Sequence, residues 1–325
     1  MERKPSLHTT IAGINLSSPI YNASGCLCTS DIELNNLINS NSSAILTKSS
    51  TINSREGNEH PRFYIGSNYS INSMGIPNQG FKHYIDYYKS YIMMNQNNQT
   101  KPYIQSLYPF NKVELIEMFD YINNNLDIAN IMIPYLIELN VSCPNVNNSV
   151  MLDKIEEYLD TIKQNNSQNI KIGLKLQPYY LRYEFDIVSN LLLKYKDHIK
   201  YIVSINSVIN GLDIDIINES LRIAPNNGLG GIGGDPALPV ALSNVYQFSS
   251  RLHEKIDIVG CGGVSNGNDV FKYLLVGAKA VQVGTELIRS GTKCFEIINN
   301  ELSDLMQNKG YKKIEYFRNK LISNF

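Results

Sequence analysis

Short apolar runs, most of them closing on a cluster of small or polar residues, recur along this 325-residue chain. They fall at Pro19–Asn22, Ala44–Thr47, Tyr103–Ser106, Leu136–Asn140, Lys171–Lys175, Tyr201–Ile205, Asp257–Gly260 and Ala280–Val283. Their length and their branched and aromatic residues predict buried strands. Between several of them the apolar positions change to three- and four-residue spacing. Val113–Asn123, Leu152–Lys163, Glu184–Tyr195, Leu242–His253 and Asn268–Leu275 are therefore expected to be amphipathic helices. Strand–helix alternation repeated about eight times predicts a parallel sheet that closes on itself. The expected fold class is α/β, a (β/α)8 TIM barrel, as a single domain over residues 1–325. The intervals after the second and sixth strands are long. The first contains RFYIGSNYSINSMGIPNQG, residues 62–80, whose alternation predicts a small hairpin and loop over the carboxyl-terminal mouth.

Residues just past the strands add chemistry to this pattern. Ala23-Ser24-Gly25 follows the first, Lys48-Ser49-Ser50 the second and Ser142-Cys143-Pro144-Asn145 the fourth. The fifth ends in Lys175, the sixth in Asn206-Ser207, the seventh in Gly262-Gly263 and the eighth in Gly284-Thr285. Barrel enzymes build their sites at this end of the strands. A thiol at a strand terminus, Cys143, flanked by the amides of Asn140 and Asn145, suits acid–base or nucleophilic work on a polar planar ligand. Two glycine groups have backbone bare enough to meet a phosphate. One is GLGGIGGDP, residues 228–236; the other comprises the turns GCGGV and VGTEL after the last two strands. A phosphorylated cofactor is expected.

Composition mostly excludes alternatives. A net charge of −1 and scattered Lys and Arg leave no footprint for nucleic acid. Five cysteines argue against a disulfide framework and for a reducing compartment, so a cytoplasmic location is expected. No metal site is expected, because the Cys26/Cys28 pair lacks further ligands nearby. No apolar run is long enough for a membrane span. The many asparagines cluster in presumed loops and helix ends.

The motifs NASG, LTKSST, SINSMGIPNQG, ELNVSCPN, GLKLQPY, NSVINGL, GLGGIGG, GCGGV and QVGTEL occur here in the order seen in dihydroorotate dehydrogenases. From about Thr9 to Leu321 the chain resembles the soluble class 1A branch, which uses FMN and fumarate. SINSMGIPN favours that branch over class 1B, and cysteine at position 143 separates it from class 2. The resemblance implies oxidation of dihydroorotate to orotate and reduction of fumarate to succinate, alternating at one site of a homodimer. By the same resemblance, Ala23, Ser24, Lys48, Ser49, Asn140, Lys175, Ile205, Gly234, Gly262, Gly263, Gly284 and Thr285 would contact FMN. Lys48, Asn72, Met74, Gly75, Ile76, Asn140, Asn145, Asn206 and Ser207 would contact dihydroorotate. Cys143 falls on the family's catalytic base.

Three departures from the family pattern stand out. Asn147-Asn148-Ser149-Val150 replaces a Pro-Gly-Lys-Pro loop, Asp235-Pro236 follows Gly234, and Leu107-Tyr108-Pro109 adds bulk near the mouth. The alternatives are a related FMN barrel with a different pyrimidine substrate or acceptor, and a non-catalytic binding paralogue.

Overall fold

The computed structural model describes residues 4–95, 100–142 and 148–322. Its central sheet has eight parallel strands: β1 (Ile20–Asn22), β2 (Ile45–Leu46), β3 (Tyr103–Leu107), β4 (Tyr135–Asn140), β5 (Lys171–Leu176), β6 (Tyr201–Ser204), β7 (Asp257–Cys261) and β8 (Ala280–Val283). Each pairs with its sequence neighbour from β2 to β8, and β8 pairs with β1. A side chain closes the remaining seam. Asn22 Nδ2 donates to the Leu46 carbonyl at 2.7 Å, and Asn22 Oδ1 accepts from the Leu46 amide at 3.0 Å. The amide copies the bonds a neighbouring strand would make, satisfying two buried backbone groups.

Strand alternation produces two apolar layers. Ile45, Tyr103, Ile137, Leu174 and Ile202 pack outward beneath the helices. Tyr21, Leu46, Ile104, Leu136, Tyr201 and Val203 fill the barrel. Gly173 makes room for the Tyr201 ring, which a Cβ there would approach to 2.2 Å. A hairpin, Thr9–Ile11 with Ile14–Leu16, stoppers the amino-terminal end with Ile11 and Leu16.

Surrounding the sheet are α1 (Asp31–Ile38), α2 (Phe81–Met94), α3 (Lys112–Asn125), α4 (Asn148–Asn165), α5 (Arg182–Lys194), α6 (Leu238–Leu252), α7 (Gly267–Leu275), α8 (Thr285–Ser290) and α9 (Cys294–Asn308). All five expected helices are present, each starting earlier than its apolar spacing indicated. α4 already begins at Asn148, so residues 148–150, expected in a loop, are helical. Asparagine supplies several starts: Asn111 and Asn266 accept from the amides of Glu114 (3.0 Å) and Asp269 (3.1 Å). Such a short acceptor satisfies an amide with no intrahelical partner. Among the described residues no helix is long and apolar enough to cross a membrane.

Over the mouth, both long intervals join in one four-stranded antiparallel sheet, ordered Val208–Gly211, Gly230–Gly234, Tyr69–Asn72, Phe63–Ile65. The expected hairpin is its last two strands. One expectation is corrected here: residues 228–236 do not form an open phosphate loop, because Gly230–Gly234 is a strand paired with Tyr69–Asn72. Gly230 and Gly231 serve close packing, while Gly234 at the end of the strand lines the cavity of the mouth. A Cβ on Gly231 would lie 2.1 Å from Ser207 Oγ, and one on Gly230 would lie 2.7 Å from the Asn72 carbonyl.

Candidate active site

Where β1 to β4 run out, side-chain polar groups take over from the backbone ladder. Ser24 Oγ donates to the Thr47 carbonyl at 2.9 Å and lies 3.1 Å from Ser49 Oγ. Ser49 Oγ is 2.9 Å from Ser106 Oγ and accepts from Asn140 Nδ2 at 3.3 Å. A second group links β4 to β6. Ser142 Oγ donates to Asn140 Oδ1 at 2.6 Å and accepts from Asn206 Nδ2 at 2.5 Å. Asn206 Oδ1 in turn accepts from the Ser207 amide at 2.9 Å. From the mouth sheet, Asn72 donates to the Gly231 carbonyl at 3.0 Å. These bonds fix the orientation of three amides that converge from separate elements.

Met74, Gly75 and Ile76 approach from above in a bent segment. Gly75 has φ of +70° and Ile76 of +56°, in the left-handed region. A Cβ on Gly75 would stand 2.3 Å from Asn58 Oδ1, so this turn requires glycine.

Two buried lysines face this polar floor. Lys48 is 9% exposed and Lys175 4%. Among the described residues neither forms an ion pair with a carboxylate. Burial pushes the Lys48 pKa below its ordinary value, since the ammonium has lost water without gaining an adjacent anion. At Lys175 burial again opposes the charge, but Cys261, Glu138 and Cys26 raise the pKa, the two thiols only so far as they ionise. Its Nζ donates to Gln282 Oε1 at 2.8 Å and lies 3.6 Å from Cys261 Sγ.

One cavity of about 1020 Å³ unites these groups at the barrel mouth. Its walls include Ala23, Ser24, Lys48, Ser49, Asn72, Met74, Gly75, Ile76, Asn140, Lys175, Ile205, Asn206, Ser207, Gly234, Gly262, Gly263, Gly284 and Thr285. The other two candidates, Cys143 and Asn145, lie outside the described residues. Ligand pockets commonly measure about 300–1,000 Å³, so this one has room for a cofactor with a small substrate beside it.

The residues present fit a phosphorylated, ring-bearing cofactor. After β7, Gly262 and Gly263 have φ of +130° and +70°. A Cβ on Gly263 would lie 2.6 Å from Leu238 Cβ, so that turn offers bare backbone. Such backbone forms a cradle for a phosphate. Beside it, Ser70 Oγ and Thr285 Oγ1 are 2.9 Å apart. At the far end Lys175 supplies a cation for an electron-rich ring.

Several lining residues escaped the sequence reading. Ser142 sits inside ELNVSCPN but bore no assigned role. Ser70 and Arg55 belong to no barrel-strand end, and only chain crossings bring them to the cavity, while Phe110 lies in the loop after β3. The bulk at residues 107–109 divides: Leu107 is buried in β3, while Tyr108 lines the cavity edge-on to Phe110 at 5.4 Å. The Arg55 guanidinium lies 5.1 Å from the Phe110 ring centre. Glu138, beneath the cavity, also escaped, although a charged residue inside an apolar strand is a signal that could have found it.

Comparison with known proteins agrees along the chain. The profile described as "Dihydroorotate dehydrogenase" matches residues 6–306. A protein of Saccharomyces cerevisiae named "Dihydroorotate dehydrogenase (fumarate)" is 40% identical over 322 residues, 98% of this chain and 99% of that one. One of the same name from Lachancea kluyveri is 41% identical over 310 residues, 94% of this chain and 95% of its own. The fold is also similar to the crystal structure of DHODH in complex with ferulenol from Eimeria tenella, with a TM-score of 0.79 at 15% identity, covering 98% of this chain and 89% of that chain. With its ordered motifs, its mouth cavity and these near full-length matches, the chain belongs to the dihydroorotate dehydrogenase family.

Proposed function

We propose that this chain oxidises dihydroorotate to orotate with bound FMN and passes the electrons to fumarate, a step of pyrimidine biosynthesis. The observation that carries this reading is Lys48, a buried ammonium without a carboxylate partner among the described residues, in one cavity with the amides of Asn72, Asn140 and Asn206. Such a charge is costly until an anion joins it. The substrate carboxylate is that anion.

Each residue has a part. Lys48 pairs with the carboxylate. Asn72, Asn140 and Asn206, joined by Asn145, present donors and acceptors to the alternating N–H and C=O groups of the ring. The backbone of Met74 and Gly75, with Ile76, closes over it, and Ser207 adds a hydroxyl. Bound FMN would supply a hydride acceptor for the substrate and a hydride donor for fumarate. Gly234, Gly262, Gly263, Gly284 and Thr285 would hold its phosphate. Ala23, Ser24, Ser49 and Ile205 would line its ring, with Lys175 beside the part that becomes negative on reduction.

Cys143 removes the proton from C5 of dihydroorotate. In support, it directly follows Ser142, which bonds both Asn140 and Asn206 at the cavity wall. An ordinary thiol, with a pKa near 8.5, is only a small fraction thiolate at neutral pH, so substrate oxidation should speed up towards alkaline pH. Fumarate, a dicarboxylate, reuses Lys48 and the amides once orotate has left, which makes the kinetics ping-pong.

The same reading takes the chain as one domain acting as a cytoplasmic homodimer. Ile214, Ile216 and Ile217, all exposed on one segment, suit burial against a second copy. The central test is anaerobic. Dihydroorotate should bleach the yellow flavin band and fumarate should restore it; a protein that binds FMN yet keeps its colour with dihydroorotate overturns the reading.

A further inference from the structure

Beneath the cavity floor the barrel holds a charge that the chemistry above does not use. Glu138 on β4 is 0% exposed and Gln282 on β8 is 1% exposed, and neither lines the cavity. Alternation turns both into the barrel: Glu138 lies between inward Leu136 and Asn140, and Gln282 follows inward Ala280. Gln282 Nε2 donates to Glu138 Oε2 at 2.6 Å, while Gln282 Oε1 accepts from Lys175 Nζ at 2.8 Å. An ionised carboxylate only accepts, so Glu138 dictates which way the amide points. With its nitrogen held by Glu138, Gln282 must present its carbonyl to Lys175.

The bond to Gln282 is the one that favours an ionised Glu138. Oε1 has no partner among the described residues in either protonation state, but a proton on Oε2 would meet the Gln282 amide hydrogen. Burial raises the Glu138 pKa, while Lys175 and the Gln282 bond pull it back. Cys261 and Cys26 also face Lys175, but burial pushes both thiols up, Cys26 to about 11, so both are neutral at working pH. Lys48 faces Lys175 as well and opposes its charge. Tyr21 and Tyr201 face Glu138, and burial raises both phenols. The negative charge available to hold the Lys175 proton is thus that of Glu138.

We propose that Glu138 is a positioning residue: through Gln282 it holds Lys175 as a fixed ammonium and so sets the reduction potential of the flavin bound above it. The inference rests on the reading that a flavin lies against Lys175. Interposing an amide has a physical advantage over a direct ion pair. The carboxylate stands farther from Lys175, so its field cancels less of the cation's field at the cavity.

The test is the midpoint potential of bound FMN between about pH 6 and about pH 9 in the wild type and in Glu138→Gln, Gln282→Leu, Lys175→Met and the double variant Glu138→Gln/Gln282→Glu. In Glu138→Gln, Lys175 should lose its proton at lower pH than in the wild type. Binding of reduced relative to oxidised FMN should then weaken about tenfold against wild type at the alkaline end, about 30 mV for a two-electron couple. Gln282→Leu, which severs the relay but keeps the charge, should steepen the profile less than Glu138→Gln does. The double variant places a carboxylate directly on Lys175 and should restore the wild-type slope. Parallel profiles for wild type, Glu138→Gln and Gln282→Leu overturn the role of Glu138. Lys175→Met separates the two ideas: if it leaves the potential unchanged, the placement of Lys175 against the flavin fails, and with it this inference.

Discussion

At its amino-terminal end the barrel is closed by Ile11 and Leu16 of the hairpin, packed in one apolar cluster with Leu46, Ile104 and Leu136. A few residues further along, those strands lead to Lys48, Ser106 and Asn140, where hydroxyls and amides bond one another at the floor and wall of a cavity. The two ends share strands, register and backbone and differ only in which side chains point inward. The lower end needs no orientation, because apolar burial is non-directional. The upper end holds groups in fixed directions and tolerates a buried ammonium that weakens the fold. Stability and chemistry are thus stacked along the barrel axis.

The widest separation should come from the mouth. Cys143→Ala should slow flavin bleaching by dihydroorotate about 10²–10⁴-fold, the usual scale of general-base catalysis, with little change in thermal unfolding. Stopped-flow absorbance measures it, and an unchanged rate would remove the thiol from the mechanism.

Lys48→Met should cost about 2–5 kcal/mol in orotate binding, the scale for removing one partner of a buried charge pair. Unliganded, the same variant should melt higher than wild type, because an uncompensated buried charge has gone. The pH dependence has a definite sign. Lys48 has a lowered pKa in the folded chain, so its penalty to folding is full at low pH and disappears as pH rises past the ordinary lysine value. Orotate affinity runs the other way, weakening as pH rises through that lowered pKa. Calorimetric titration of orotate against pH checks the affinity, and thermal unfolding of the unliganded protein against pH checks the penalty.

Leu136→Ala, at the lower end, should cost about 2–5 kcal/mol of stability through the cavity it leaves. Orotate affinity of the folded fraction should stay near wild type; a large loss would show that the two ends are not separable. Smallest of all, Lys279→Met removes the 2.7 Å bridge to Asp257 below the core. Partly exposed pairs contribute about 0–1 kcal/mol, so chemical denaturation should shift only slightly.

Much of this division could be read from the chain. The strands were legible because apolar runs of strand length alternate with helical spacing, and the mouth because their ends turn polar together. ELNVSCPN displayed its amides and thiol at one strand end. Two things were hidden. The glycines of residues 228–236 advertised a close approach to something, but a missing Cβ says nothing of what approaches. The neighbours proved to be Ser207 and the Asn72 carbonyl, at the heart of the mouth sheet. Asn22 likewise read as no more than the last residue of the first strand, yet it closes the barrel by bonding both backbone groups of Leu46.

By itself the sequence determined the eight strands in their order and the clustering of chemistry at the carboxyl ends, because these follow from local periodicity and from where each apolar run stops. Only the tertiary structure decided that residues from both long intervals share one sheet over the mouth, that Lys48 is left without an adjacent anion, and that Gln282 joins Glu138 to Lys175. Those facts depend on contacts between residues far apart in the chain, whose hydrogen-bond partners and loss of water are set by packing and leave no periodic trace along it.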